Sequence, residues 1–290
     1  MNRRRIVLFV LLGVVVFGSG FYFLHFREPV YQGIALSTWL EGFHSGEKET
    51  HDRAEEAVRQ MGTKALPPLL KMLRANDSKL KLKLKEWAEK QSLFEVQFSS
   101  AYDRRVRAVR GFEALGPVAE PAIPSLIELF KDEEVAYGAS AALIAIGPKS
   151  TLPLIKALTN ENSQVRVHAA ASLGDFGSDA QNVVPALIRS LKDKSSLVRN
   201  CAAFSLGVIA RDPTNVVPAL IVNLHYTHAE VRAAAAFALD KYGKQAKAAV
   251  PALLKALNDQ DRIVRIRATS ALIKIDPEGA AKAGVRFPVF

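Results

Sequence analysis

The chain has 290 residues, 49% apolar and 23% charged, a balance that excludes a polar disordered segment and predicts a folded core. Its formal charge of +10 is compatible with nucleic acid or anionic lipid as partner, and equally with a plain basic surface. The single cysteine, Cys201, excludes an intrachain disulfide and a Cys-rich zinc site, and its setting, VRNCAAFSLG, predicts a small buried core residue.

Residues 1–26 read as a membrane anchor or signal segment. After Arg3, Arg4 and Arg5 comes a run from Ile6 to Leu24 with no charge, near the length a helix needs to cross a bilayer. Phe21, Tyr22, Phe23 and Phe26 stand where an interfacial aromatic belt belongs, and the arginines orient the N-terminus to the cytoplasm. The rival reading is a signal peptide cut after Gly20, beside the small residues Gly18 and Ser19. Either way the bulk of the chain leaves the cytosol, which in a bacterium means the inner membrane's periplasmic side.

Residues 27–45 read as a linker and a short lead-in helix. The stretch REPVYQGIAL is extended, and Thr38 with Glu41 has the spacing of a capping box for a helix whose buried face is Trp39, Leu40 and Phe43.

Residues 46–290 repeat. QVRVHAAASLGDFG (164–177), LVRNCAAFSLGVIA (197–210), EVRAAAAFALDKYG (230–243) and IVRIRATSALIKID (263–276) follow one another at an even step, with looser copies upstream. Each of the first three is followed by a second block such as VVPALIRSL or AVPALLKAL. A fixed period of this size predicts an all-α solenoid of paired helices, about six repeats and a truncated seventh. Val165, Ala169, Leu173 and Phe176 share one face of the first helix, and the alanine clusters let neighbouring helices approach closely. Gly116, Gly147, Gly177 and Gly243 stand where first helices stop, as left-handed C-caps. Pro68, Pro124, Pro153, Pro185, Pro218 and Pro251 stand where second helices start. Arg166, Arg199, Arg232 and Arg265, with Asp193 and Asp259, predict an Arg–Asp ladder between stacked repeats.

These blocks resemble HEAT repeats, in particular the short class similar to phycobilin lyases, over about residues 46–280. The resemblance implies a HEAT/armadillo-like right-handed α-α superhelix and says little of function. YQGIALSTWL also resembles a segment that precedes HEAT repeats in bacterial exported proteins.

Pro68 and Pro124 stand nearly twice as far apart as any later pair of successive prolines of this series, so a segment is inserted at about 76–103. KLKLKLK, Lys79 to Lys85, begins that insertion. Leu80, Leu84, Trp87 and Phe94 fall within about 60° of Leu73 on a helical wheel, which favours a helix. The alternation of KLKLKLK and of FEVQF supports a β-hairpin instead. On the helix reading the lysines form a solvated rim.

No phosphate-binding glycine loop, His-Glu-x-x-His or Cys-x-x-Cys is present, nor the repeated His-Glu dipeptides of the HEAT-type iron hydroxylases. His225 and His228 make a lone pair, short of the three or four ligands of a zinc site. The expectation is a monomeric, cofactor-free, non-enzymatic scaffold, membrane-tethered, that binds a protein partner outside the cytoplasm and no nucleic acid. The alternatives are an envelope enzyme or enzyme subunit with a cleft near the insertion, and a nucleic-acid binder. By analogy with HEAT solenoids, second helices line the binding face. The residue four beyond each proline then points outward: Glu128, Ala157, Arg189, Val222 and Lys255. Glu128, Arg189, Val222 and Lys255 are the candidate partner-binding residues.

Overall fold

The computed structural model describes residues 28–78, 81, 83, 99–177 and 180–285. The apolar run Ile6–Leu24 and most of the 79–98 stretch lie outside them. Among the described residues no single helix is long and apolar enough to cross a membrane.

The 27–36 stretch is more than extended chain. Val30–Tyr31 (β1) and Ile34–Ala35 (β2) form an antiparallel hairpin. Gln32 and Gly33 both have positive φ, as the tight primed turns of two-residue hairpins require. Helix α1, Leu36–Glu41, starts earlier than its sequence predicts, and the Thr38–Glu41 box does not form. The hairpin supplies the cap instead. The Leu36 amide donates to the Pro29 carbonyl at 3.0 Å and the Ser37 amide to the Glu28 carboxylate at 3.0 Å. Leu36 joins Leu40 in the core, while Trp39 and Phe43 are half-buried.

Paired helices follow: α2 (Lys48–Met61) with α3 (Leu66–Leu73), α4 (Ala101–Leu115) with α5 (Ile123–Glu128), and α6 (Glu133–Ile146) with α7 (Thr151–Ala157). Then come α8 (Ser163–Leu173) with α9 (Ala180–Ser190), α10 (Ser196–Ile209) with α11 (Pro213–Asn223), and α12 (Ala229–Tyr242) with α13 (Val250–Ala256). The first helix of a further repeat, α14 (Arg262–Ile275), and the short α15 (Pro277–Lys282) follow. First helices pack on first helices of the next repeat, α10 on α12 and α12 on α14, and second helices cover one side of that layer. One continuous apolar core runs between the two layers from Leu36 to Ala280.

Close approach sets the first-helix layer. Ala202, Ala203, Ala235, Ala236 and Ala238 are fully buried. A Cβ on Gly207 would lie 2.8 Å from the Ala238 Cα, and one on Gly174 would lie 2.8 Å from the Ser205 hydroxyl. Cys201 is half-buried rather than fully enclosed, and burial pushes its thiol pKa up.

Two details of the helix ends differ from expectation. Gly62, Gly116, Gly147 and Gly243 do end first helices, but Gly116, Gly147 and Gly243 take φ of 53° to 84° with ψ of −132° to −149°, outside the left-handed helical region. That is backbone a side chain would not tolerate. Gly177 has no such role, because α8 already stops at Leu173 and Gly174 continues with helical angles. In the α10 repeat Ala210 takes the left-handed conformation instead, and the Tyr242 hydroxyl pins the following turn by donating to the Arg211 carbonyl at 2.7 Å. Pro124 and Pro251 occupy the second position of their helices, but Pro185 and Pro218 lie inside theirs, more than a turn from the start. In the α5, α7 and α13 repeats a 3₁₀ turn leads into the proline. In α9 and α11 that lead-in is α-helical.

The Arg–Asp ladder forms on alternate rungs. Arg166 donates to both Asp193 oxygens at 2.8 and 2.9 Å, and Arg232 to both Asp259 oxygens at 2.7 Å. Each arginine also donates to two carbonyls of the loop before its own helix. Between them, the position that matches Asp193 in the next repeat is Tyr226, and the Arg199 guanidinium lies 4.1 Å over its ring. Burial pushes the Asp193 carboxyl up, but the Arg166 guanidinium and the Ser195 amide hold it below the usual carboxylate range. Asp259 is held low first by Arg232.

The insertion leaves α3 through Asp77. Its carboxylate accepts from Lys81 Nζ at 2.6 Å, the Ala101 amide at 2.8 Å and Arg104 at 3.1 Å, which lowers its pKa to about 2, the Lys81 hydrogen bond foremost. Lys81 is therefore a half-buried clasp rather than part of a solvated rim, whereas Lys83 is exposed. Both are helical. The rest of the helix-or-hairpin alternative lies outside the described residues. The chain returns at Ser100, whose capping box with Asp103 starts α4.

Leu206 is fully buried between repeats. Leu206→Ala should cost about 2–5 kcal/mol in urea unfolding, with hydrogen-exchange protection lost most from about 165 to 260. A loss below about 0.5 kcal/mol would contradict its place in the core. Asp193 and Asp259 have depressed folded pKa values, so their stabilisation is complete above the ordinary carboxylate pKa of about 3.9 and lost as pH falls through the lower folded values. Asp259→Asn should lower stability at neutral pH by about 3 kcal/mol and flatten the decline of stability between neutral and acid pH. An unchanged pH profile would remove the rung from the stabilising interactions.

Candidate protein-interaction surfaces

The two layers expose different chemistry. On the second-helix side, a groove of 870 Å³ lies between α5 and α7, lined among others by Ile127, Glu128, Leu152 and Lys156. Leu152 is 67% exposed and Val222, on α11, 68%, large apolar side chains that the core does not use. Glu128 is paired with Lys131 at 2.5 Å. Arg189 lies in the last turn of α9 and Lys255 in the last turn of α13; neither is buried, and neither makes an ion pair among the described residues. The four candidates thus stand on four of the second helices, and only Glu128 lines this groove. Ala157, placed outward by the same spacing, is buried, because α7 is short and turns into the next loop there.

On the first-helix side, a trough of 430 Å³ runs over α12, between α10 and α14. Ala229, Ala233 and Ala234 floor it; Asn200 and Phe204 form one wall, Ile263 and Arg267 the other. Phe204, 50% exposed, stacks on Phe237 with ring centroids 4.8 Å apart and planes 6° from parallel. Lys241 Nζ and the Arg267 guanidinium stand 5.0 and 5.2 Å from the Phe237 centroid. The sequence carried a signal for this surface. Phe204 is two residues from buried Leu206, about 200° round the helix, where a solvent-facing polar residue is expected.

Beside the insertion, a 650 Å³ cavity is lined by Glu28, Lys71, Arg74, Ser99, Arg104 and Arg107, with other residues. Among its described lining residues the one carboxylate, Glu28, already accepts from the Ser37 amide. His225 and His228 are both exposed, and His228 stacks on Tyr226. A cluster unforeseen from sequence, His51, Asp52 and Glu55, has ligand atoms within 4.8 Å of one another, but Arg59 already holds Glu55. His168 sits against Phe130 and Tyr137, and burial lowers its pKa.

Stacked helix pairs sharing one core, bonded to the next by recurring arginines, define a helical-repeat solenoid. The family model for HEAT repeats matches residues 151–225 and 217–283, and the chain carries HEAT repeats over this region. No curated protein matches it in sequence. Among solved structures it is similar to a Kap95:Nup1 complex (TM-score 0.52, 16% identity, 86% of this chain and 36% of that one). It is similar also to yeast importin-beta, Kap95p (TM-score 0.50, 17% identity, 85% and 37%). The chain spans about a third of the length of these two, and the likeness is one of fold. Human deoxyhypusine hydroxylase in complex with glycerol is more distant in shape (TM-score 0.37, 20% identity, 86% of each chain).

Proposed function

We propose that the chain is a non-enzymatic scaffold that holds a protein partner on its second-helix face, tethered to a membrane by residues 1–26 with the solenoid outside the cytoplasm. The observation that carries the partner reading is the exposure of Leu152 and Val222 on second helices beside Glu128, Arg189 and Lys255. A repeat array holds such positions in register, and large apolar side chains with charged neighbours form the kind of surface a protein partner covers. The fold is shared with the Kap95:Nup1 complex, a solenoid with a bound protein partner. The tether rests on the charge-free run Ile6–Leu24 behind three arginines.

Crosslinking in native membranes followed by purification should recover a partner with the wild-type chain, and less with Arg189→Glu, Lys255→Glu. Replacing Lys79, Lys83 and Lys85 by Gln, with the Lys81 clasp left in place, should leave recovery nearly unchanged. The reverse pattern would make the insertion the docking element. A reporter enzyme active only outside the cytoplasm, fused after Phe290, should be active, and the fusion should resist a carbonate wash. A soluble product starting near Phe21 would replace the anchor with a cleaved signal.

A further inference from the structure

We infer that the trough over α12 is a second binding surface, on the layer opposite the second helices, and that its occupant is an acidic amphipathic peptide segment of a partner protein. The trough exists because three adjacent helices differ at outward positions. Helix α12, last but one in the first-helix layer, carries Ala233 where α10 carries Asn200 and α14 carries Ile266. Phe204 on α10 and Ile263 on α14, each about half exposed, rise on either side of it. Neighbouring helix axes stand about 8–10 Å apart, so the walls on α10 and α14 leave room for one chain segment along α12. Alanines at the floor let an apolar side chain descend against the flat face that Phe204 and Phe237 present.

Charge chooses the segment. Arg267 and Lys241 stand over the Phe237 ring, and among the described residues neither makes an ion pair. Of the two acids at the other end, Asp261 commits its carboxylate to the amides of Ile263 and Val264, at 2.8 and 3.1 Å, which leaves Glu230. The aromatic end is therefore a place for a carboxylate, next to an apolar anchor one helical turn or less away. Without Arg3, Arg4 and Arg5 of the proposed tether the chain's charge of +10 falls to +7, and this still draws an acidic segment from a distance. A flat anionic membrane fits less well: the floor is recessed between two walls, and Glu230 stands on the rim.

The test immobilises the full chain in detergent and selects from a displayed random dodecapeptide library. Enriched peptides should pair an aromatic or leucine with Asp or Glu within about one helical turn. Synthesised singly, they should bind roughly tenfold or more weakly to Arg267→Glu, and to Phe204→Ser, a surface change that spares the core. Ala233→Trp, which fills the floor, should also block them, with its thermal unfolding checked to confirm the fold. Arg189→Glu with Lys255→Glu should leave binding unchanged, which separates this surface from the second-helix reading. Enrichment of basic peptides, peptides indifferent to all three trough variants, or no enrichment would overturn the inference. Binding of phosphatidylserine vesicles that Arg267→Glu abolishes, with no peptide selected, would overturn it in favour of a lipid surface.

Discussion

The structure depends on how closely one first helix lies on the next. Gly207 has no room for a side chain against Ala238, and Gly174 none against Ser205. At this separation the contact is nearly backbone to backbone, so alanine is the largest residue many positions accept. Larger groups are pushed outward or into the seam between layers, where Leu173, Leu187, Leu206, Leu220, Leu239 and Leu253 are buried. Close helices also bring the loop of one repeat within reach of the arginine of the repeat before it. Arg166 reaches Asp193 and Arg232 reaches Asp259 only because the repeat rise is short.

Those arginines do two tasks at once. Each neutralises an aspartate that caps its own loop, since Asp193 accepts from the Ser195 amide and Asp259 from the Asp261 amide. Each also satisfies carbonyls that would otherwise lack partners in the turn before its helix. Where Tyr226 replaces the aspartate, the loop carbonyl still binds, since Arg199 donates to the Asp193 carbonyl at 2.6 Å, and the ring takes the place of the carboxylate. The interaction between repeats therefore tolerates a change of chemistry as long as the guanidinium has a flat, electron-rich surface ahead of it. Because every link is between neighbours, a fault in one repeat is felt by two others and fades beyond them.

Much of this was legible in the sequence, because a fixed period writes each contact several times. The buried stripe Val165, Ala169 and Leu173 and the Arg–Asp rungs follow from spacing alone, while Phe176 is buried but lies beyond the end of α8 rather than on its face. Local geometry was not legible where two capping solutions compete. Thr38 and Glu41 have box spacing, yet the hairpin just upstream places Glu28 at the helix start. Gly177 looks like Gly147 in an alignment, but α8 ends earlier, at the tight contact of Gly174. Asp77, four residues before Lys81, was in reach of a sequence reading, but the Ser99 carbonyl that completes the clasp meets Lys81 only where the insertion returns. The proposed partner surfaces were the least legible. Outward spacing along the second helices finds Arg189, Val222 and Lys255, while Phe204, on a first helix, falls outside that pattern.

The trough and the core share one cause. On α12 the run Ala233 to Ala236 puts small residues on every side of the helix: Ala235 and Ala236 are fully buried, Ala234 is buried at the trough floor, and Ala233 faces outward. The inward ones are required by close approach; the outward one is free to vary, and its smallness opens a recess without weakening the core. The walls, by contrast, are specific. At the eighth position of the block α8 has Ala171, α10 has Phe204, α12 has Phe237 and α14 has Ser270. Aromatic rings from this position therefore stand side by side at one pair of these repeats only, and Lys241 and Arg267 both stand over Phe237 of that pair. A periodic scaffold would repeat such a feature if packing demanded it. Its confinement to one junction is what distinguishes a site from the lattice that carries it.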